Sequence, residues 1–261
     1  MIDYTFALSE FEKIILILMR IASFVMVAPF FGMPNTPRRT KVGFSVFLTL
    51  IVYSYTADSS YTYNGILEYA TLVVKECVVG LLIGYMANMC MQILHFAGRI
   101  IDMDIGLAMA NVMDPTSKQQ VGLIGTYYYD FVMLMLIVSD LHIFLVRALI
   151  ETYEIIPIGE MTVNASLYDT VVGYIGDYFA IGFRITLPVF AAILLLNVLL
   201  AIVVRVAPQI NMFVIGMQLK ILIGLAVIFL TIGLLPSISN VIYEQMKTLI
   251  THVVEGMRNY G

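Results

Sequence analysis

Charged side chains inside long apolar runs are the residues of this chain best placed to do chemistry. Six of these are Arg20, Lys75, Glu76, Asp130, Asp140 and Lys220. Because a charge at the centre of a bilayer costs roughly 2.5 kcal/mol or more, such a side chain usually faces protein or a water-filled cavity. One interpretation is a polar pathway or a network between helices. The other is a set of charges near the membrane edge that pair or extend to water.

Taken together, these charges favour helices that face protein rather than lipid. The intramembrane polar network that we expect comprises Arg20, Lys75, Glu76, Asp130 and Lys220.

The residue types that enzymes and metal sites use are scattered. The histidines, His95, His142 and His252, have no metal-ligand spacing. The two cysteines would lie roughly 20 Å apart along one helix, too far for a disulfide. Asp102 and Asp104 would point to different faces of a helix, so they form no acid–base pair. Since nucleotide-binding and hydrolase motifs are also absent from the sequence, we predict that this protein is not an enzyme and uses no cofactor and no metal.

The composition is that of a membrane protein. The chain has 261 residues, of which 61% are hydrophobic and 12% are charged, whereas soluble domains are nearer a half and a quarter. A net charge of −4 without a basic run argues against nucleic acid as a partner. The apolar runs are Ile14–Phe31, Val42–Ala57, Ile66–Leu94, Val121–Ile150, Phe179–Val204 and Met212–Pro236.

The lengths of these runs bound the fold. A bilayer core needs about 20 helical residues, so the third, fourth and fifth runs are long enough to span. The second run is too short for simple spanning, and Lys220 and Pro236 shorten the last one. The acidic opening, MIDYTFALSEFEK, lacks a signal-peptide pattern, so we expect the first run to stay. No linker or clean repeat divides the chain, and we expect one all-α integral membrane domain over residues 1–261.

Basic residues alternate along the links between the runs and predict an orientation. The first, third and fifth links carry Arg38, Arg39, Lys41, Arg99, Lys118 and Arg205. The second and fourth links carry acidic residues and no basic ones. Because basic loops stay in the cytoplasm, we expect the three basic links there and both termini outside.

Two glycines in the third run predict a close contact between helices. Gly80 and Gly84 form a G-x-x-x-G pattern, and Glu76 lies one turn earlier on the same stripe. Small residues at this spacing let a second helix approach closely. We interpret the stripe as a helix-packing seam.

The stretch RIIDMDIGLAMANVMDPTSKQQVG, residues 99–122, suits neither lipid nor bulk water. Its aspartates and proline make a poor membrane helix, while its isoleucines and methionines are too apolar for an ordinary loop. Gly106 permits unusual backbone angles, and Asp114-Pro115 favours a turn. Irregular backbone at membrane depth is tolerated only where protein or a water-filled cavity surrounds it, so we expect such surroundings here.

Four stretches of the sequence carry a family pattern. They are RIASFVMVAPFFGMPNTPRRTKVGFS, IDMDIGLAMANVMDPTSKQQVGLIG, SDLHIFLVRALIETYEIIPIG and RVAPQINMFVIGMQLKILIGLAVIFL. In this order they resemble the FliR family of flagellar export-gate subunits, to which the injectisome counterparts of type III secretion also belong. The joint presence of the G-x-x-M-A-x-x-x-D-P and A-P-Q-I-N patterns makes the resemblance specific.

The resemblance implies a subunit of a hetero-oligomeric protein export gate in the bacterial inner membrane, at the flagellar basal body. The implied partners are FliP-like and FliQ-like subunits, adjacent FlhB and FlhA, unfolded export substrates and membrane lipid. The implied fold consists of helical hairpins with kinked or partial-span helices, with a FliP-like portion over residues 1–178 and a FliQ-like hairpin and tail over residues 179–261. The family complex lies largely out of the bilayer plane, which would account for the short runs.

The family pattern also assigns roles to two segments. Residues 99–122 would enter the central pore and close it as a plug, with the expected plug residues Asp102, Met103, Gly106, Met109, Met113, Asp114 and Pro115. The hairpin would turn on the cytoplasmic side, with the expected tip and subunit-contact residues Arg205, Pro208, Gln209 and Asn211. An ordinary tight turn is the alternative for the tip.

Other functions stay open alongside a flagellar gate. An injectisome gate would use the same chemistry. A small-solute secondary transporter also uses broken helices and intramembrane charges, but it predicts two related halves that the sequence does not display. A scaffold subunit that nucleates the gate without lining it is a further alternative.

Overall fold

A computed structural model describes residues 4–56, 63, 65–107, 122–207, 209 and 212–258. These residues form helices and no strand, as the sequence predicts. The helices are α1 (Tyr4–Val27), α2 (Arg38–Tyr55), α3 (Ile66–Ile105), α4 (Leu123–Val138), α5 (Leu141–Ile155), α6 (Ala165–Val206), α7 (Met212–Thr231) and α8 (Leu235–Gly256). A short 3-10 turn, Ile232–Leu234, joins α7 to α8.

Three helical stretches in the described part of the chain are long and apolar enough to cross a membrane. They are Ile66–Ile105, Ala165–Val206 and Ile215–Gly256, and α4 with α5 would add a fourth if the two form one span. The third and fifth apolar runs are therefore long enough to span, as predicted. The protein is an all-α membrane protein.

The last apolar run does not end at Pro236, so the prediction that this proline shortens it was wrong. Pro236 is the second residue of α8. A proline is tolerated in the first turn of a helix, where the missing N–H has no intrahelical acceptor in any case. The helical path therefore continues from Ile215 to Gly256.

The fourth apolar run is two helices rather than one. Asp140 separates α4 from α5 with a φ of 58°, a left-handed conformation that aspartate adopts more readily than most residues. Its side chain is exposed. Asp140, which the sequence presents as a charge within an apolar run, therefore marks a break between helices.

The predicted loop 99–122 begins later than expected, because α3 continues through Arg99 to Ile105. Ile101 and Ile105 are one helical turn apart and both are fully buried. Burial of this apolar stripe favours continuation of the helix over an irregular loop. Asp102 and Met103 are accordingly helical residues.

The chain divides into two compact units. Unit 1 comprises Met1–Cys90, Asp140–Tyr174 and Tyr243–Gly261, and unit 2 comprises Met91–Ser139 and Ile175–Ile242. Both units are discontinuous in sequence because α3, α6 and α8 each contribute to both. The fully buried residues of unit 1 include Leu16, Ile17, Ile21 and Phe24, and those of unit 2 include Leu94, Ile101, Ile105, Val132 and Leu136.

Candidate functional site

A buried ion pair joins α1 to α3 inside unit 1. Arg20 Nε donates to Glu76 Oε2 at 2.6 Å, and Arg20 Nη2 donates to Glu76 Oε1 at 3.0 Å. Both side chains are fully buried. Two parallel N–H···O bonds between a guanidinium and a carboxylate are the strongest arrangement that such a pair can take. Each of the two buried charges is therefore compensated by the other through these hydrogen bonds.

The remaining hydrogen-bonding groups of this pair are satisfied by the end of α5 and the segment after it. Arg20 Nη1 donates to Thr152 Oγ1 at 3.2 Å and to the carbonyl oxygen of Ile156 at 3.1 Å. The main-chain N–H of Gly159 donates to Glu76 Oε1 at 2.8 Å. A buried pair contributes stability only when such further bonds complete it. The pair therefore ties three separate parts of unit 1 together.

Lys75 and the two glycines of the seam pack around this network. Lys75 is half-buried, and its Nζ donates to the carbonyl oxygen of Gly159 at 3.0 Å. A Cβ added at Gly80 would lie 2.0 Å from the Arg20 carbonyl oxygen, and one at Gly84 would lie 3.0 Å from that of Phe24. Glycine at these positions is therefore what allows α1 to approach α3 this closely.

The predicted polar network is divided between the two units. Arg20, Lys75 and Glu76 meet in unit 1, as described. Asp130 and Lys220 belong to unit 2, where Asp130 is exposed and Lys220 is half-buried. The contacts of the three residues in unit 1 are those of a structural anchor, since Arg20, Lys75 and Glu76 each have a hydrogen-bond partner in the protein.

The base of the predicted plug lies in unit 2 and is organised by Asp102. This α3 residue is buried, and its Oδ1 accepts a hydrogen bond from the main-chain N–H of Ile124 at 3.3 Å. Ile124 lies in the first turn of α4, so the carboxylate caps the start of that helix from a neighbouring one. A Cβ at Gly122 would lie 2.0 Å from Asp102 Oδ2, so Gly122 makes room for the cap.

Gly106 ends α3 in the left-handed region, with a φ of 92°. Its main-chain N–H donates to the carbonyl oxygen of Asp102 at 3.1 Å, an arrangement typical of a C-terminal glycine cap. The atom nearest to an added Cβ would be Met217 Cγ at 3.9 Å. Glycine is therefore needed here for its backbone angle and not for space.

Close contacts through small residues hold this base together. A Cβ at Gly98 would lie 2.0 Å from the Cα of Gly125, which joins α3 to α4. A Cβ at Gly224 would lie 2.5 Å from Ile105 Cγ1, which joins α7 to the end of α3. Such short approaches leave little room for these helices to shift. The helices on either side of residues 108–121 are thus fixed to one another.

The other predicted plug residues are less constrained or lie outside the described residues. Met103 is 70% exposed. Asp104 Oδ2 is buried and has no hydrogen-bond partner among the described residues. The predicted plug residues Met109, Met113, Asp114 and Pro115 lie outside the described part of the chain.

The predicted hairpin tip follows α6. Arg205 lies in the last turn of that helix and is exposed, and Gln209 is also exposed. The tip residues Pro208 and Asn211 lie outside the described residues.

One charge inside an apolar run gains significance only in the structure. Arg184 lies in the fifth run, and it lines a cavity in unit 2. The signal that singled out Arg20, an isolated charge among apolar residues, is present at Arg184 as well. Among the described residues, no group of three or more His, Cys, Asp and Glu side chains could hold a metal ion.

The sequence of this chain matches a known protein family and several named relatives. Residues 11–246 match the family described as "Bacterial export proteins, family 1". The chain is 30% identical to the flagellar biosynthetic protein FliR of Bacillus subtilis (strain 168) over 254 residues, which cover 95% of this chain and 94% of that protein.

Two further relatives carry the same name. The chain is 23% identical to FliR of Pectobacterium carotovorum subsp. carotovorum over 238 residues, covering 90% of each chain. It is also 23% identical to FliR of Escherichia coli (strain K12) over 238 residues, covering 91% of this chain and 90% of that protein. The similarity therefore extends over nearly the full length of both partners in each comparison.

Proposed function

The chain belongs to the FliR family, family 1 of the bacterial export proteins, and on that premise we propose that it lines and closes the pore of the flagellar export gate. It is a membrane protein of the flagellar export apparatus. The proposal is that unfolded flagellar proteins cross the inner membrane through this pore, and that residues 99–122 block the pore when no substrate passes.

The proposal includes the surroundings of the chain. FliP-like and FliQ-like subunits would complete the gate, and FlhB and FlhA would lie beside it in the inner membrane. Residues 1–178 would form the FliP-like portion and residues 179–261 the FliQ-like hairpin and tail. The flagellar names of the relatives favour this system over an injectisome.

The single observation that carries the plug proposal is the anchoring of both helices that flank residues 108–121. Asp102 lies one turn before Gly106, which ends α3, and its carboxylate caps the start of α4. A segment of this length, held at both ends, can reach roughly 20 Å from its base. A fixed base with a long connection between its two sides is what a plug requires, since the blocking segment must return to one position after each passage.

The chemistry of the segment also supports the proposal. Its sequence, AMANVMDPTSKQQV, combines methionines with polar residues and a proline. Methionine side chains adapt to irregular apolar surfaces and pack against many partners. Such side chains can seal around a passing chain without reading its sequence, which suits a gate for unfolded substrates.

Deletion of residues 106–114 tests the proposal. Cells that make the shortened chain should leak small ions at rest, because the segment no longer fills the pore. Membrane conductance measures the leak, and co-purification of the FliP-like and FliQ-like subunits establishes that the gate has assembled. A matched control replaces residues 108–114 by glycine and serine at constant length, which separates loss of chemistry from loss of length. Background conductance in an assembled deletion complex would rule the plug out.

A further inference from the structure

A cavity of about 230 Å³ lies within unit 2, at the level of the proline inside α6. Three α6 residues, Ile181, Ile185 and Val189, form its floor, and each is at least nine-tenths buried. The opposite wall comes from the 3-10 turn and α8. It includes Leu234, Ile238 and Val241, with Ser237 beside them. Most of the lining side chains are therefore aliphatic.

The cavity carries one cation at its rim. Arg184 lines it from α6, and its side chain is exposed. Arg184 has no ion pair or hydrogen bond with another residue in the described part of the chain. The hydroxyl groups of Tyr128 and Thr231 also line the cavity, and Thr231 Oγ1 donates to the main-chain carbonyl oxygen of Ile228 at 3.1 Å. The arginine is thus the charged group of this cavity that lacks a protein counterpart.

An arginine without a counter-ion is energetically unfavourable at the position of Arg184. It lies in Ala165–Val206, a helix long and apolar enough to span a membrane, and only 17% of the most apolar stretch of that helix is buried. Arginines within such helices are normally paired with an anion or placed towards water. Arg20 shows the paired solution in this same chain, through its carboxylate partner Glu76. Arg184 therefore needs an anion from outside the described chain.

We propose that this cavity binds an anionic phospholipid, with an acyl chain against the aliphatic walls and the lipid phosphate on the Arg184 guanidinium. An anionic lipid has an apolar chain that fits the aliphatic side chains and a negative headgroup that fits Arg184. Such lipids are present in the membrane around the helix. Basic residues beside apolar clefts between membrane helices recognise headgroups in this way. A planar guanidinium also fits two phosphate oxygens better than an ammonium does. The inference does not rest on the plug, because it is argued from Arg184 and from the α6 and α8 side chains that line the cavity.

Native mass spectrometry of the full chain, purified in detergent with its co-purifying subunits, tests the proposal. Phosphatidylglycerol, phosphatidylcholine and inorganic phosphate are added separately at equal concentrations. We expect phosphatidylglycerol adducts to exceed phosphatidylcholine adducts, because only the former carries net negative charge. Binding of inorganic phosphate to the same extent would overturn the lipid assignment, since a free anion does not use the aliphatic walls.

Two variants locate the site. Arg184→Gln should weaken phosphatidylglycerol binding roughly fivefold, the size of one basic residue acting on an anionic lipid. Val241→Trp keeps the arginine and fills the cavity from a half-exposed position, so it should reduce binding of both lipids. If Arg184→Gln fails to fold, Val241→Trp and the conservative Arg184→Lys carry the same test.

Matched controls exclude general effects. Arg39→Gln removes an exposed arginine of α2 that lines no cavity described for this chain, and Val172→Trp adds the same bulk at an exposed α6 position away from the cavity. Neither should change lipid binding, and equal losses in these controls would overturn the site. A neighbouring subunit is the competing occupant. If Val241→Cys cross-links to a neighbouring subunit in the assembled complex, and that complex carries no lipid, the proposal is wrong.

Discussion

The carboxylate of Asp102 accepts a hydrogen bond from the main-chain N–H of Ile124 at 3.3 Å, so one α3 side chain caps the helix on the far side of residues 108–121. Asp102 stands one turn before the glycine that ends α3. The start of α4 thus depends on a side chain from the last turn of α3. This dependence can be tested separately from the plug itself.

Asp102→Ala should destabilise unit 2 by about 1 kcal/mol, the typical cost of a lost helix cap, and should raise resting ion conductance. Asp102→Asn keeps an oxygen acceptor for the Ile124 N–H and should retain most of the stability and the seal. Thermal unfolding in detergent and membrane conductance measure the two effects. Wild-type conductance in an assembled Asp102→Ala complex would show that the pore closes without this cap.

Gly106→Ala should cost about 1–2 kcal/mol, because the residue has a φ of 92° and an alanine is strained in that region. Steric exclusion is not the cause, since the atom nearest to the new Cβ would be Met217 Cγ at 3.9 Å. Gly106→Asn should therefore be tolerated better than Gly106→Ala despite its larger side chain. Unfolding curves of the two variants compare them directly, and the reverse order would contradict a backbone requirement.

Removing one partner of the buried ion pair should be severe. Arg20→Met leaves Glu76 buried and unpaired, and Glu76→Leu does the same to Arg20, so each should cost about 3–5 kcal/mol. The double variant should be more stable than either single one, because no uncompensated charge remains. Lys75→Met is the milder control, since Lys75 is only half-buried. Protein levels in the membrane and melting temperatures rank the stabilities of these variants. A double variant no more stable than the single ones would contradict the prediction.

Gly80→Ala should separate α1 from α3, because the new Cβ would lie 2.0 Å from the main-chain oxygen of Arg20 and backbone cannot move aside cheaply. Overpacking of this kind typically costs about 1–3 kcal/mol. Gly173→Ala in α6 is the matched control. An added Cβ there meets no atom within 4 Å, so the change should be neutral or stabilising by up to about 1 kcal/mol. Similar melting temperatures for both variants would show that Gly80 is not needed for the close contact of α1 with α3.

Gln209→Ala and Asn211→Ala distinguish an interface from a plain turn at the hairpin tip. If the tip contacts neighbouring subunits, the double change should reduce the amount of FliQ-like and FliP-like protein that co-purifies while the chain itself stays folded. If the tip is only a turn, co-purification should be unchanged. Quantitative immunoblotting of the purified complex measures the outcome. Arg147→Gln, on an exposed face of α5, serves as the surface control.

Composition and run length sufficed to predict the helical membrane class, because bilayer thickness sets the length of an apolar helix. The sequence also singled out Arg20 and Glu76 as charges in apolar runs. It could not pair them, since 56 residues separate them and their further partners Thr152 and Ile156 lie later still. A pattern of local periodicity carries no information on contacts at such separations.

The errors at helix ends have equally physical reasons. The loop expected from Arg99 is helical to Ile105, because burial of Ile101 and Ile105 outweighs the unfavourable aspartates. The break at Asp140 was missed, because a single aspartate in an apolar run has the same appearance whether it continues a helix or ends one. Its positive φ identifies the break only once the backbone is known.

The hydrogen bonds of Arg20 also set an order of events during synthesis. Its carboxylate partner emerges 56 residues later, and the carbonyl oxygen of Ile156 emerges 136 residues later. At common translation rates the second interval is on the order of ten seconds. During that time the arginine of the first helix lacks its final acceptors. The arginine of the first helix therefore gains its last hydrogen bonds only after more than half of the chain has been synthesised.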